Sequence, residues 1–165
     1  MTGLEALRQA LVDYLNVGGV PSVAAWENGK RVSRSGAVSA VCIRGCSGGP
    51  AGFQDYLGEF WEEEKGCWVE KYGRRAEITF GLDIWGPRNG GESACAAHFS
   101  QLVQLLTLGG PDGLHIREVT CGETVFDDEE GLFHCPVRAV GEVFLEAALD
   151  ESGAFTDFTV KGTRT

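Results

Sequence analysis

The chain has 165 residues, a 43% hydrophobic content, 24 glycines and a formal net charge of -10. That is one ordinary domain, able to bury roughly two-thirds of its unfolded surface without staples, and its composition excludes a coiled coil or a disordered chain. The acidic balance, with Arg31, Arg34, Arg74, Arg75 and Arg88 scattered, excludes sequence-specific nucleic-acid binding, which needs concentrated Lys and Arg.

No apolar run is long enough to span a membrane. Residues 1–15 lack the basic start and uninterrupted apolar core of a secretory signal, so the cytosol is the expected compartment. Thr2 and Glu5 have capping-box spacing and predict a helix start. Leu4, Leu7, Leu11, Tyr14 and Leu15 form its apolar stripe, and Gly18 or Gly19 stops it. Residues 20–26 predict a short strand, turned at Asn28 and Gly29 and returning through Val32. Residues 37–43 are almost continuously apolar, which predicts a central strand covered on both faces.

Residues 45–58 are rich in glycine, and Pro50 restricts both itself and Gly49, so a shaped loop is expected. Ser47 to Gly49 lacks the Lys and hydroxyl that a phosphate-binding loop needs. Within this stretch Phe53, Tyr56 and Leu57 have the spacing of one helical turn. Residues 60–61 and 67–72 then pair across the acidic tip Glu62, Glu63 and Glu64, and Gly73 marks a bulge where the second arm bends. A hairpin of this length projects from the body.

Residues 76–110 organise the rest. Ile78, Phe80, Leu82 and Ile84 alternate with Thr79, Gly81, Asp83 and Trp85, the period of a half-buried strand. Glycines and Pro87 break the pattern. From Glu92 to Leu108, Cys95, Phe99, Leu102, Val103 and Leu106 recur at helical spacing, with His98 on the polar edge, until Gly109, Gly110 and Pro111 end the run. Residues 114–121 and 132–149 form a second long hairpin around the tip at 127–131, and residues 155–160 make a last strand. Helix, strands, helix, strands is the order of an α+β domain over residues 1–165, an antiparallel or mixed sheet with long hairpins packed against two helices.

Chemistry is hard to find. The six cysteines include no Cys-x-x-Cys pair, and His98, His115 and His134 do not complete a metal motif. Cys95 faces inward on its helix, and Cys42, Cys121 and Cys135 lie in apolar strands, so structural free thiols are expected. Cys95 and His98 are within reach at i and i+3 but lack an orienting third group. The acidic runs at 62–64 and 127–130 are expected to be solvated turns, since they lack the spacing of calcium ligands. Neither catalysis, nor a cofactor, nor a metal is predicted.

The N-terminal helix, the hairpins, the strand ending in GLDIWGP, the Gly-rich turn and the helix ESACAAHFSQLVQLL together resemble the tail terminator, or tail completion, proteins of long-tailed bacteriophages. GGPAGFQDYLGE, YGRRAEITFGLDIW and CGETVFDDEEGLFHCP also resemble products of phage and prophage tail-gene clusters. The resemblance implies a homomeric ring, usually a hexamer, in the virion at the tail-head junction. Such a ring contacts the tail tube protein, stops tube growth and presents a face to the neck or head-tail connector protein. A closed ring needs two different complementary edges per subunit. Phe53, Tyr56, Trp61, Trp68 and Trp85 are the predicted anchors of the oligomer or tube interface. Six subunits would together carry a charge of roughly -60, which disfavours adhesion of DNA passing through a channel.

Overall fold

One strand of 20 residues, β4 (Cys67–Gly86), forms the spine of the sheet and spans roughly 65 Å. The structure, a computed structural model, describes residues 3–25, 35–48, 55–149 and 155–160. Along one edge of β4 lie two strands end to end. These are β2 (Val38–Gly48), against residues 76–85, and β3 (Asp55–Glu62), against residues 67–73. The other edge is lined by β7 (Leu132–Cys135) and β8 (Val137–Leu149). Outside these come β1 (Ser22–Ala24) beside β2, β6 (Val125–Asp127) beside β7, and β5 (Leu114–Cys121) and β9 (Phe155–Val160) beside β8. Every described strand belongs to one sheet, and the parallel pairing of β1 with β2 makes it mixed.

The two helices, α1 (Gly3–Val17) and α2 (Gly91–Leu108), cover one face of this sheet. Alternation along β4 puts Ile78, Phe80, Leu82 and Ile84 on that face, all fully buried, against Leu7, Leu11 and Leu15 of α1 and Leu102 and Leu106 of α2. The fold is therefore α+β, with the helix stripes and the strand period meeting as the sequence predicts. Gly18 lets the end of α1 approach the Leu105 side chain of α2, and Gly19, at φ 81°, turns the chain out of the helix. The Thr2 cap and the turn and return strand at 28–32 lie outside the described residues.

Several expectations are corrected. Residues 45–48 are not loop: they continue β2, which absorbs Arg44 as a bulge between Ile43 and Gly45. Ladder bonds to β4 outweigh the low strand propensity of glycine here, because a neighbour with a strong apolar period is already in place. Tyr56 and Leu57 belong to β3 rather than to a helical turn, and Phe53 lies outside the described residues. Gly73 pairs regularly with both Asp55 and Glu146, so the irregularity falls at Leu57, between Tyr56 and Gly58. With partners on both edges, β4 has no freedom to bulge, while β3 does.

The second long hairpin is also split. Strands β7 and β8 keep a single register against β4, Ile84 with Cys135 and Gly81 with Arg138, but Pro136 interrupts them because it has no N–H for the ladder. Asp83 compensates: its carboxylate accepts a bond from the Val137 N–H at 3.3 Å. On the far side, Gly122 N–H donates to the Pro136 carbonyl at 2.8 Å, between the separate ladders of β5 and β6.

Both acidic tips close in the same way. Gly66 N–H donates to Glu62 O and Gly131 N–H to Asp127 O, each at 2.8 Å, with the glycines at φ 62° and 66°. Asp127 also accepts from the N–H groups of Glu129 and Glu130, so the run is a solvated turn held by its own carboxylate. A Cβ at Gly131 would meet nothing within 4 Å, so the cost of Gly131→Ala comes from the left-handed backbone alone. It is expected to destabilise by about 1–2 kcal/mol in urea denaturation, and an unchanged midpoint would mean that the turn relaxes to another geometry.

Candidate functional site

The tip of the β3–β4 hairpin is the part of the described surface most unlike ordinary solvated protein. Trp61 of β3 stands directly opposite Trp68 of β4. Side chains opposite each other across a ladder share a face, and the two indole rings meet edge to face with centroids 5.6 Å apart. They remain 50% and 52% exposed. Phe60 and Val69 form the next pair and point to the other side, where Val69 is buried. Around the tryptophans, Gly58–Glu70 contains five glutamates and one lysine, and Lys65 lies 3.8 Å from Glu62. The tip is exposed aromatic surface on an acidic stretch of chain.

A second apolar exposure lies where the helices end. Val17 is 90% exposed and Leu108 81%. Both close helices whose last turns are in contact, since Tyr14 O–H donates to the Leu105 carbonyl at 3.4 Å. Beside α2, an open groove of about 310 Å³ is lined by Val103, Leu106, Ile116 and Val119 together with the polar His115, Arg117 and Glu118.

The face of the sheet opposite the helices carries several ion pairs. Arg44 crosses over Gly81, where any side chain would collide with it, and donates twice to Asp83 at 2.7 Å. His134 Nε2 lies 3.5 Å from the same carboxylate. Arg117 bridges Glu77 at 2.6 Å and Glu142 at 2.8 Å. These exposed pairs set side-chain positions more than they add stability.

Compared with known proteins, the chain matches no family model. No curated protein matches it either.

Of the predicted interface residues, the structure therefore brings Trp61 and Trp68 together at an exposed tip. Tyr56 lies on the same β3 strand, paired with Tyr72, and Phe53 is outside the described residues. Trp85 is buried instead of exposed. It is only 6% exposed, packs with Val38 and Ala40, and stacks on His134 at a centroid distance of 4.1 Å. Alternation put Trp85 on the helix-free face correctly. What the sequence did not show is that β2 and β7 flank that position and that Val38, Ala40, His134, Val23 and Leu132 pack around the ring.

His98 is a further correction. It is 4% exposed and lies in the core interface, where its Nε2 is 2.8 Å from the buried Ser39 hydroxyl of β2. Burial lowers its pKa from 6.5 to about 4, so it is neutral in the folded protein at neutral pH. Cys95, buried one turn earlier, points its thiol at the Phe133 carbonyl at 3.9 Å, and desolvation pushes its pKa up to about 11. Neither group is poised for proton transfer with the other. Positions 95, 98, 102 and 106 form a helical stripe in their own right, a periodicity that could have placed His98 inside. Among the cysteines, Cys95 and Cys135 are buried as expected, but Cys121 and Cys46 are exposed and Cys42 and Cys67 half-buried. Cys121 ends β5 at the Gly122 break, where the sheet no longer covers it.

Proposed function

We propose that this chain is a bacteriophage virion structural protein of the tail terminator type, which caps the tail tube as a homomeric ring and offers a docking face to the neck. The observation that carries the reading is the Trp61–Trp68 pair, held half-exposed at the end of the β3–β4 hairpin. Paired tryptophans at a projecting tip are costly to leave in water, and large rigid aromatics of this kind act as interface anchors. The α+β arrangement, one long sheet bearing two helices, fits the resemblance in the sequence. The apolar ends of α1 and α2 are a second exposed surface, apart from the tip, on which contacts between subunits can form, so that the tip is left for the tube or the neck. Among the described residues no helix is long and apolar enough to cross a membrane; the proposed place of action is the tail-head junction of the virion.

A genetic test follows. Deleting the gene from its phage, or replacing Trp68 with glutamate, is expected to leave filled heads separate from tails whose tubes have uncontrolled length, as seen by electron microscopy. An uncapped tube end keeps adding subunits. Normal joined particles after deletion would overturn the reading. Tails of correct length that fail to join heads would assign the chain to the neck instead.

A further inference from the structure

We propose that the β3–β4 tip binds an arginine-bearing, basic protein surface and not a second copy of this chain. This rests on the proposed function only in locating that partner at the tail, on the tube or the neck. The tip itself carries the inference. Trp61 and Trp68 meet edge to face at half exposure, and Glu59, Glu63 and Glu64, within five residues of one or the other along the hairpin, are exposed. An arginine satisfies both halves of such a surface: its planar guanidinium stacks on an indole while its N–H fork pairs with a carboxylate. Lysine, a compact and strongly hydrated cation, satisfies the carboxylates but stacks less well.

Charge rules out the other occupants. A chain of net charge -10 meets its own copy with repulsion at an acidic tip. Three arginines of the sheet are already paired within the chain, Arg44 with Asp83, Arg75 with Glu142, and Arg117 with Glu77 and Glu142. Nucleic acid and anionic membrane are repelled for the same reason. What remains is a protein surface of opposite sign, which the field of the carboxylates would also steer toward the tryptophans. The other apolar exposure, at Val17 and Leu108, is left to contacts between subunits.

The test uses the intact protein and a short tryptophan-free peptide of alternating arginine and leucine, with a lysine-for-arginine peptide as comparison. Tryptophan fluorescence is followed on titration at low salt. The arginine peptide is expected to give a saturable change, with affinity reduced roughly fivefold to tenfold by Trp61→Ser or Trp68→Ser. It should weaken further with salt, and less steeply so in a Glu63→Gln, Glu64→Gln variant. Because these side chains are exposed, the variants should keep the far-ultraviolet circular dichroism of the parent. Equal binding of the lysine peptide would reduce the site to bulk charge and overturn the proposal, as would variants that bind like the parent. Competition by a neutral oligosaccharide would overturn it too, by assigning the tryptophans to sugar. Self-association of the parent that Trp68→Ser abolishes would assign the tip to a second copy. Peptide binding alongside normal particles after gene deletion would sink the tail function while leaving this site standing, and the opposite pattern would do the reverse.

Discussion

Phe80→Ala is expected to cost about 3–5 kcal/mol of folding stability, a large share of the roughly 5–15 kcal/mol that holds a domain together. Phe80 lies in the middle of β4, paired with Ile43 on one side and Ala139 on the other, and is fully buried beneath the two helices. The small Ala139 makes room for the ring. Neither ladder partner can move into the vacated space, because each is fixed by backbone bonds to a strand already paired on both edges. The deletion therefore leaves a cavity in addition to the lost transfer energy. Trp68→Ala is the comparison: its side chain is larger but half in water, and the change should stay within about 1 kcal/mol. Urea denaturation of both variants decides the matter. Equal losses would mean that the helices do not cover the face of β4 that carries Phe80.

Acid should weaken the protein through His98. An unfolded histidine takes up its proton near pH 6.5, whereas folded His98, desolvated between α2 and β2, resists protonation until about pH 4. Between those values the unfolded state binds more protons, so stability rises with pH across this window and is lost as pH falls through it. From pH 7 to pH 4.5 the loss through this one group is about 2 kcal/mol. Below about pH 4 the folded form is protonated as well and the loss levels off. His98→Gln removes the titration while retaining an amide to meet the Ser39 hydroxyl. That variant should start less stable at pH 7, and its decline to pH 4.5 should be shallower than the parent's by about the same 2 kcal/mol. Parallel declines would show that the acid sensitivity belongs to other groups.

The tryptophans divide the site between what composition shows and what geometry adds. Trp61, Trp68 and Trp85 are indistinguishable by residue type and all follow strand alternation. Their fates differ because Trp85 lies where β4 has a neighbour on each edge, with the ring of its ladder partner His134 stacked against it, while Trp61 and Trp68 lie past the last residue of β8 that pairs with β4, Leu149 with Glu70. Distance along a strand from the last flanking partner is a tertiary quantity. The same reasoning covers Cys121 and His98: one is uncovered by a break that Pro136 imposes on the adjacent strand, and the other is covered by a strand more than fifty residues away in the chain.

By itself the sequence determined the elements and their inward faces. Period-two and helical apolar patterns, glycine turns and the stop at Pro111 act through local sterics and burial, and so they can be read wherever a run is long enough. Ile78, Phe80, Leu82 and Ile84 on β4 and Leu102 and Leu106 on α2 are such cases. Only the tertiary structure decided that the glycine-rich residues 45–48 are strand, that the bulge falls at Leu57 rather than Gly73, and that Trp85 and His98 are buried while Trp61 and Trp68 are not. Each of those outcomes depends on which strand pairs beside a residue and where that pairing ends. Backbone hydrogen bonds to a neighbour distant in sequence outweigh the roughly 1 kcal/mol that local strand propensity spans.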